Sequence, residues 1–503
     1  MKDTKKAASN IVFIVSALIT IAIALWGIIS NDSFAESANK LMQGLQNNFS
    51  WLYLGVMLFF VLFCLVLAFS KFGKIRLGAD DEKPEYSTVS WFAMLFAAGM
   101  GIGLVFWGVA EPLSHYVSPM KGIEPQSAEA AAFSIRSCIM HWGLHPWSCY
   151  AIMGLALAYF QFRKKESALV SNLFKPVLGN KNTEGIVGKS IDIFTTVLTV
   201  TGVATSFGMG CLQICGGLEY LFSVPNTMIT WIIIISVICV IYLLSATSGI
   251  GKGVKILSNI NLFLLVFLTI FAFAFGPTRD IILYFVNGIK DYIINFFPDS
   301  LRMSSEGDTS WINGWRVFYW AWWLSWAPFV GLFIARISRG RTIREFVMGV
   351  IIIPTLVSAV WFCTLGGMSL NVADQFSTEQ LLELVAVPQT TLFHIFDQYS
   401  FGIVLSMVAI VLLIIFFITS ADSATFVLAM LTSDGNLEPK NNKKIFWGIL
   451  VAVVAFVLIM SGSISVIQTV SIVIAFPYLF ILILLCVSLI LGLKSDLKEH
   501  TNE

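Results

Sequence analysis

The stretch Trp320-Ala321-Trp322-Trp323-Leu324-Ser325-Trp326 sets four tryptophans within seven residues, inside a largely apolar run from about 311 to 335. A run of that length is long enough to cross a bilayer as a helix. Tryptophan in membrane proteins concentrates at the two water interfaces, whereas this cluster falls near the middle of its segment. Aromatic faces at mid-membrane depth suit a cation that cannot donate hydrogen bonds, such as a quaternary ammonium held by the negative faces of the rings. Packing of the same rings against neighbouring helices is the other reading, and the segment alone does not choose between them.

Working outward from that run, the whole chain reads as an all-α integral membrane protein. Of its 503 residues 57% are apolar and 12% charged, with a mean hydropathy of +0.83, far from the balance of a soluble domain. Apolar runs predict twelve spans, at 11–30, 51–70, 88–108, 139–161, 191–215, 228–246, 256–277, 311–335, 342–366, 400–432, 443–462 and 467–493. Met1-Lys2-Asp3-Thr4-Lys5-Lys6 leads into the first of these with no small-residue cleavage site, so that run is expected to stay as a span. With the amino terminus inside, the inner segments hold 24 of the 31 Lys and Arg residues. The positive-inside rule then places both termini in the cytoplasm and the chain in the cell membrane.

The longer connections are expected at 109–138, 278–310 and 367–399 outside and 162–190 inside. Within 278–310, Ile281, Ile282, Phe285, Val286, Ile289, Ile293 and Phe296 recur at helical spacing among polar residues, the pattern of an amphipathic helix. The expected division is a tail with two helices (1–87), a first unit (88–277), the amphipathic connector (278–310), a second unit (311–493) and a short cytoplasmic tail (494–503).

Catalytic chemistry has no foothold. His141 and His145 share i, i+4 spacing but lack the nearby acidic residue of a zincin helix, and Cys211 and Cys215 share it with nothing else of ligand character nearby. Small buried thiols account for the cysteines. There is no nucleophile–base set, P-loop or nucleotide fingerprint, so no enzyme, organic cofactor or nucleic-acid partner is expected. The net charge of +1 identifies no partner class.

Three motifs remain. Ala97-Ala98-Gly99-Met100-Gly101-Ile102-Gly103 weakens a helix by about 1 kcal/mol at each glycine relative to alanine. Broken backbone at membrane depth is tolerated where it lines a cavity, and transporters use such breaks to meet anions and sodium. Small-residue helix packing through Gly99 and Gly103 is the alternative. In the fourth span Trp142, Trp147 and Tyr150 fall within an arc of about 140° on a continuous helix, with a kink expected at Pro146. They serve either a cage shared with Trp323 and Trp326 or plain core packing. Thr419-Ser420-Ala421-Asp422-Ser423 in the tenth span, and Thr199, Thr201, Thr205 and Ser206 in the fifth, offer oxygens for a hard cation. Asp422 is an intramembrane carboxylate, hence a functional candidate unless it is satisfied locally.

On Gly99-Met100-Gly101-Ile102-Gly103-Leu104, Glu111-Pro112-Leu113, His141 to Tyr150 and Trp315 to Gly340, the chain resembles the betaine/choline/carnitine transporter family over essentially its full length. The resemblance implies two inverted five-helix repeats (spans 3–7 and 8–12) after two extra helices, and a homotrimer in which the connector takes part. It implies an ammonium cage of Trp142, Trp147, Tyr150 and Trp323, with Trp326 and Phe318 along the exit path. Sodium, as coupling ion, is then expected at Ala97, Met100, Phe416, Thr419 and Ser420. A second sodium would use Thr199 and Phe329, although Val203 stands where sodium-coupled members carry a hydroxyl.

Choline-carrying relatives tend to have an acidic residue where this chain has Gly103, and sodium-independent carnitine exchangers lose the Gly-Met-Gly stretch that this chain keeps. Both departures point to sodium-coupled uptake of a trimethylammonium zwitterion such as glycine betaine, with osmotic protection as the expected role. On that reading the carboxylate meets the amides near Gly99, Gly101 and Gly103, and Gly103→Asp is expected to admit choline. Transport of choline, carnitine or an ectoine-like solute, proton-coupled or exchanging, is the runner-up. An ammonium-gated channel would need a repeated polar filter, and the sequence carries none.

Overall fold

The computed structural model describes residues 2–99, 101–248, 251–460 and 464–501. They contain helices and no strands. In chain order these are α1 (Lys2–Ile29), α2 (Asn31–Phe69), α3 (Thr88–Gly99), α4 (Ile102–Val117), α5 (Ala128–Trp142), α6 (Leu144–Ala158), α7 (Lys175–Thr183), α8 (Ile186–Phe222) and α9 (Met228–Ser248). They continue as α10 (Gly251–Phe275), α11 (Thr278–Leu301), α12 (Phe318–Ile337), α13 (Ile343–Asn371), α14 (Thr378–Ala386), α15 (Pro388–Asp397), α16 (Gly402–Leu431), α17 (Asn441–Ile459) and α18 (Ile464–Thr501).

Among the described residues, ten helices are long and apolar enough to cross a membrane. This departs from the expected twelve in two places. The segments expected at 88–108 and 139–161 are not continuous: the first is divided into α3 and α4, the second into α5 and α6. The connection expected at 109–138 is therefore mostly helix. Ser127 starts α5 by accepting the amide of Ala130 at 3.1 Å, an N-cap that satisfies one of the first-turn donors. The connection at 367–399 is largely taken up by the end of α13 and by α14 and α15, the former opened by a Ser377/Gln380 capping box. Residues 494–501 continue α18, and there Asp496 pairs with Arg163 at 2.5 Å and Lys164 at 2.9 Å.

α11 forms where the amphipathic pattern requires it. Ile281, Gly288 and Tyr292 face inward, while Ile282, Val286 and Ile293 stay exposed on the single chain. The inward face packs tightly: a Cβ added at Gly288 would sit 2.8 Å from Ile135 of α5.

The two helices that frame the centre meet on glycines. A Cβ at Gly331 of α12 would lie 2.5 Å from Met153 Cγ and 3.0 Å from the Gly154 nitrogen of α6. Lipid offers no hydrophobic drive for helix association, so backbones approach through small residues and gain van der Waals contact. This close crossing brings the aromatic residues of α6 within reach of those of α12.

Candidate functional site

Both broken segments are broken beside one cavity. Gly101 caps α4 in extended backbone (φ −140°, ψ −173°), so the first turn of α4 presents free amides there. Gly143 separates α5 from α6, and a Cβ on it would lie 2.3 Å from the Ile139 carbonyl oxygen, which excludes any larger residue without rearrangement. The expected kink at Pro146 is corrected accordingly. Pro146 is the third residue of α6, where its missing N–H removes no helical bond. The turn is made three residues earlier, at Gly143.

The cavity holds about 200 Å³, below the roughly 300–1,000 Å³ of drug-sized pockets, so its occupant is a small solute. Gly101 to Leu104, Trp142, Trp147, Tyr150, Trp322, Trp323, Trp326 and Phe329 line it, together with Phe416, Thr419 and Ser420. Trp323 is the hub of the aromatic part. Its ring lies 4.7 Å from Trp142 at 72°, 4.7 Å from Trp322 at 14°, and 6.3 Å from Tyr150 at 83°. Trp147 stands edge-on to Tyr150 at 5.6 Å. A helical arc does not describe this grouping, because Trp142 ends α5 while Trp147 and Tyr150 belong to α6. The rings meet across the break.

Four of the lining indole N–H groups have an acceptor. Trp323 donates to the His141 carbonyl at 2.8 Å, one of the last-turn carbonyls left open when α5 stops. Trp326 donates to the Gly202 carbonyl at 2.8 Å, Trp322 to the Ser206 hydroxyl at 3.3 Å and Trp142 to Glu111 Oε2 at 2.8 Å. With their polar edges satisfied, the rings are fixed in orientation and their faces are left for a ligand.

Glu111 escaped the sequence analysis as a site residue. It is fully buried on α4 and accepts from Trp142, from the Tyr319 hydroxyl, from His141 Nδ1 at 2.7 Å and from His115 Nε2 at 3.3 Å. His141 thus has an acidic partner after all, 30 residues away on another helix. His145 is beyond the break, bonded to Ser300 at 3.0 Å and stacked on Trp320. Glu111, His115 and Cys138 present donor atoms within 4.8 Å of one another. Both oxygens of the carboxylate are already engaged, and the cluster reads as a hydrogen-bond node. Its signals in the sequence were a carboxylate flanked by apolar residues and its place in the Glu111-Pro112-Leu113 segment.

The other expected site residues divide. Gly101 and Gly103 line the cavity, and Gly103 is filled from the far side: a Cβ there would lie 2.4 Å from Trp322 and 3.1 Å from Trp142. Gly99 ends α3. Phe318 is buried behind the cage, stacked on Trp322 at 5.6 Å, and is not a lining residue. Of the expected sodium ligands, Phe416, Thr419 and Ser420 line the cavity together. The Thr419 hydroxyl donates to the Ile415 carbonyl at 2.9 Å, which leaves its lone pairs available. Met100 and the surroundings of Ala97 lie outside the described residues. Thr199 and Phe329 are not brought together on the cavity: Phe329 lines it, whereas Thr199 is buried with its hydroxyl on the Thr195 carbonyl at 2.7 Å. Asp422 points elsewhere, beside Ser245 and Lys444.

The family model described as "BCCT, betaine/carnitine/choline family transporter" matches residues 11–498. The chain belongs to this family. It is a multi-pass membrane transporter and not an enzyme. The chain is 46% identical over 498 residues to the glycine betaine transporter OpuD of Bacillus subtilis, covering 98% of this chain and 96% of that one. It is 43% identical to a probable glycine betaine transporter of Desulfitobacterium hafniense (97% and 98% covered). It is 41% identical to an ectoine/hydroxyectoine transporter of Virgibacillus pantothenticus (96% and 96% covered).

Proposed function

We propose that this BCCT transporter is a secondary carrier for sodium-coupled uptake of glycine betaine or a similar trimethylammonium zwitterion. The observation that carries this reading is one small cavity with two unlike poles. Trp142, Trp147, Tyr150 and Trp323 form the aromatic pole, and the first turn of α4 forms the other. The trimethylammonium head is attracted to the ring faces, each worth about 0.5–2 kcal/mol. Four rings together approach the roughly 8 kcal/mol of a micromolar site. The carboxylate is favoured at the α4 N-terminus, where free amides and the helix dipole supply partial positive charge. The glycine betaine transporters among the relatives support the same choice.

Phe416, Thr419 and Ser420 on α16, which line the cavity together with Gly101, are the proposed sodium site. The ion brings in about 2.3 kcal/mol per 100 mV of membrane potential. Two inverted units would then expose the cavity to each side of the membrane in turn, with both termini in the cytoplasm. Exposed Ile282, Val286 and Ile293 on α11 suit assembly into a trimer. Uptake of labelled glycine betaine into proteoliposomes, with inward gradients of sodium, potassium or protons, tests the proposal. Uptake only with sodium is expected; equal uptake with potassium or protons rules out sodium coupling. Ectoine, named for one relative, is the competitor to include.

A further inference from the structure

The node behind the cage holds a carboxylate where none is needed to build an aromatic box. Indole N–H and phenol groups are ordinarily satisfied by backbone carbonyls, as Trp323 and Trp326 are here. Burying an ion instead is costly unless its charge is used or compensated. Glu111 has no solvent exposure, and among the described ion pairs its partners are two histidines alone. Arg136 is engaged elsewhere, with Asp299 at 2.9 Å, and Arg316 donates to the Asp299 carbonyl.

The geometry also favours an ionised carboxylate beside neutral imidazoles. Oε2 takes Trp142, which can only donate, and the Tyr319 hydroxyl; Oε1 takes both imidazoles. Four donors on two oxygens suit the ionised carboxylate. The outer nitrogens, His115 Nδ1 and His141 Nε2, are buried and meet no hydrogen-bond partner. An imidazolium would bury an unaccepted N–H at each of these places, whereas a neutral ring leaves a bare lone pair. Neutral rings do not cancel the negative charge of Glu111, and among the described ion pairs no guanidinium is paired with it.

That charge reaches the cage by three routes. It bonds Trp142 directly. It holds Tyr319, whose ring is stacked on Trp323 at 5.7 Å. It also holds the imidazole of His141, whose carbonyl accepts the Trp323 indole at 2.8 Å. Hydrogen bonds in a dry interior polarise one another, and an indole bonded to an anion has a more negative ring face. We infer that Glu111 is a positioning residue that also serves as the buried counter-charge of the bound ammonium, aligning Trp142 and Trp323 and strengthening their attraction for a cation. This rests on the reading of the cavity as a quaternary-ammonium site.

The test separates charge from shape. Purified protein is titrated with glycine betaine and with tert-butylacetate, in which a neutral quaternary carbon replaces the nitrogen. Both are read by displacement of labelled betaine. Glu111→Gln removes the charge at nearly constant volume, and it is expected to weaken betaine by roughly tenfold while changing tert-butylacetate by less than about twofold. Equal losses for both ligands, or none for betaine, overturn the inference and leave Glu111 as a structural node. Should that variant not fold, Tyr319→Phe removes one donor and keeps the carboxylate charged. The preference for betaine over tert-butylacetate must then persist or grow, and its disappearance overturns the inference. Wild-type protein that binds betaine no better than tert-butylacetate overturns the reading of the cavity itself.

Discussion

The indole N–H of Trp323 on α12 donates to the carbonyl oxygen of His141 on α5, 2.8 Å away and 182 residues apart in the chain. The acceptor is free because α5 stops at Trp142. The break at Gly143 therefore both opens the cavity and supplies the hydrogen bond that orients its central ring. Cage and helix break are one construction.

Trp323→Leu is expected to weaken betaine binding by at least about tenfold, since leucine keeps apolar bulk and loses the ring face that attracts the cation. Tryptophan fluorescence titration measures it. Trp323→Phe, which keeps a ring but lacks the bond to His141, should fall between the two. Unchanged affinity in the leucine variant would falsify the cage.

Thr419→Ala combined with Ser420→Ala should raise the sodium concentration for half-maximal uptake and leave the maximal rate at saturating sodium nearer to wild type. Hard cations need oxygen ligands, and the double change removes two of those that line the cavity beside Phe416. Sodium titration of uptake at fixed betaine checks it. An unaltered sodium dependence places the ion elsewhere.

Gly103 has less freedom than the sequence suggested. A methyl group there sits 2.4 Å from Trp322 Cη2, and overpacking costs typically 1–3 kcal/mol. Gly103→Ala should therefore lower betaine affinity by about tenfold with no change of charge. Gly103→Asp is expected to admit choline only alongside that loss, because Trp322 must move to make room. Competition of choline with labelled betaine in both variants shows whether charge or displacement dominates.

Gly331→Leu should separate α6 from α12 and lower the thermal unfolding midpoint of the purified protein. The added side chain would meet Met153 Cγ and the Gly154 backbone, and the backbone cannot yield. Betaine affinity should fall with it, since this crossing sets Tyr150 against Trp323. A midpoint equal to wild type means the helices meet differently.

Much of this architecture was legible in the sequence for a physical reason. A bilayer demands long apolar runs with satisfied backbones, so ten of the expected spans coincide with helices. The four aromatics proposed as the cage were candidates because Trp323 lies in an unusual mid-depth cluster and the family resemblance adds Trp142, Trp147 and Tyr150. Helical spacing fails at the fourth span because it presumes a continuous helix, whereas the chain breaks at Gly143 and not at Pro146. The Ser127 cap is the signal that α5 starts well before 139, and Gly143 the signal that α5 and α6 are separate.

By itself the sequence determined an all-helical membrane protein, the amphipathic α11 and the residue types able to hold an ammonium and a hard cation. Each of these follows from local composition and spacing. The tertiary structure alone decided that Gly143 makes the turn, that Phe318 packs behind Trp322, that Gly103 is filled by indole rings, and that Glu111 grips Trp142, Tyr319 and His141 together. Those are contacts between distant segments. Buried polar atoms must find partners wherever the packed helices bring them, and no periodicity along the chain records which partner that will be.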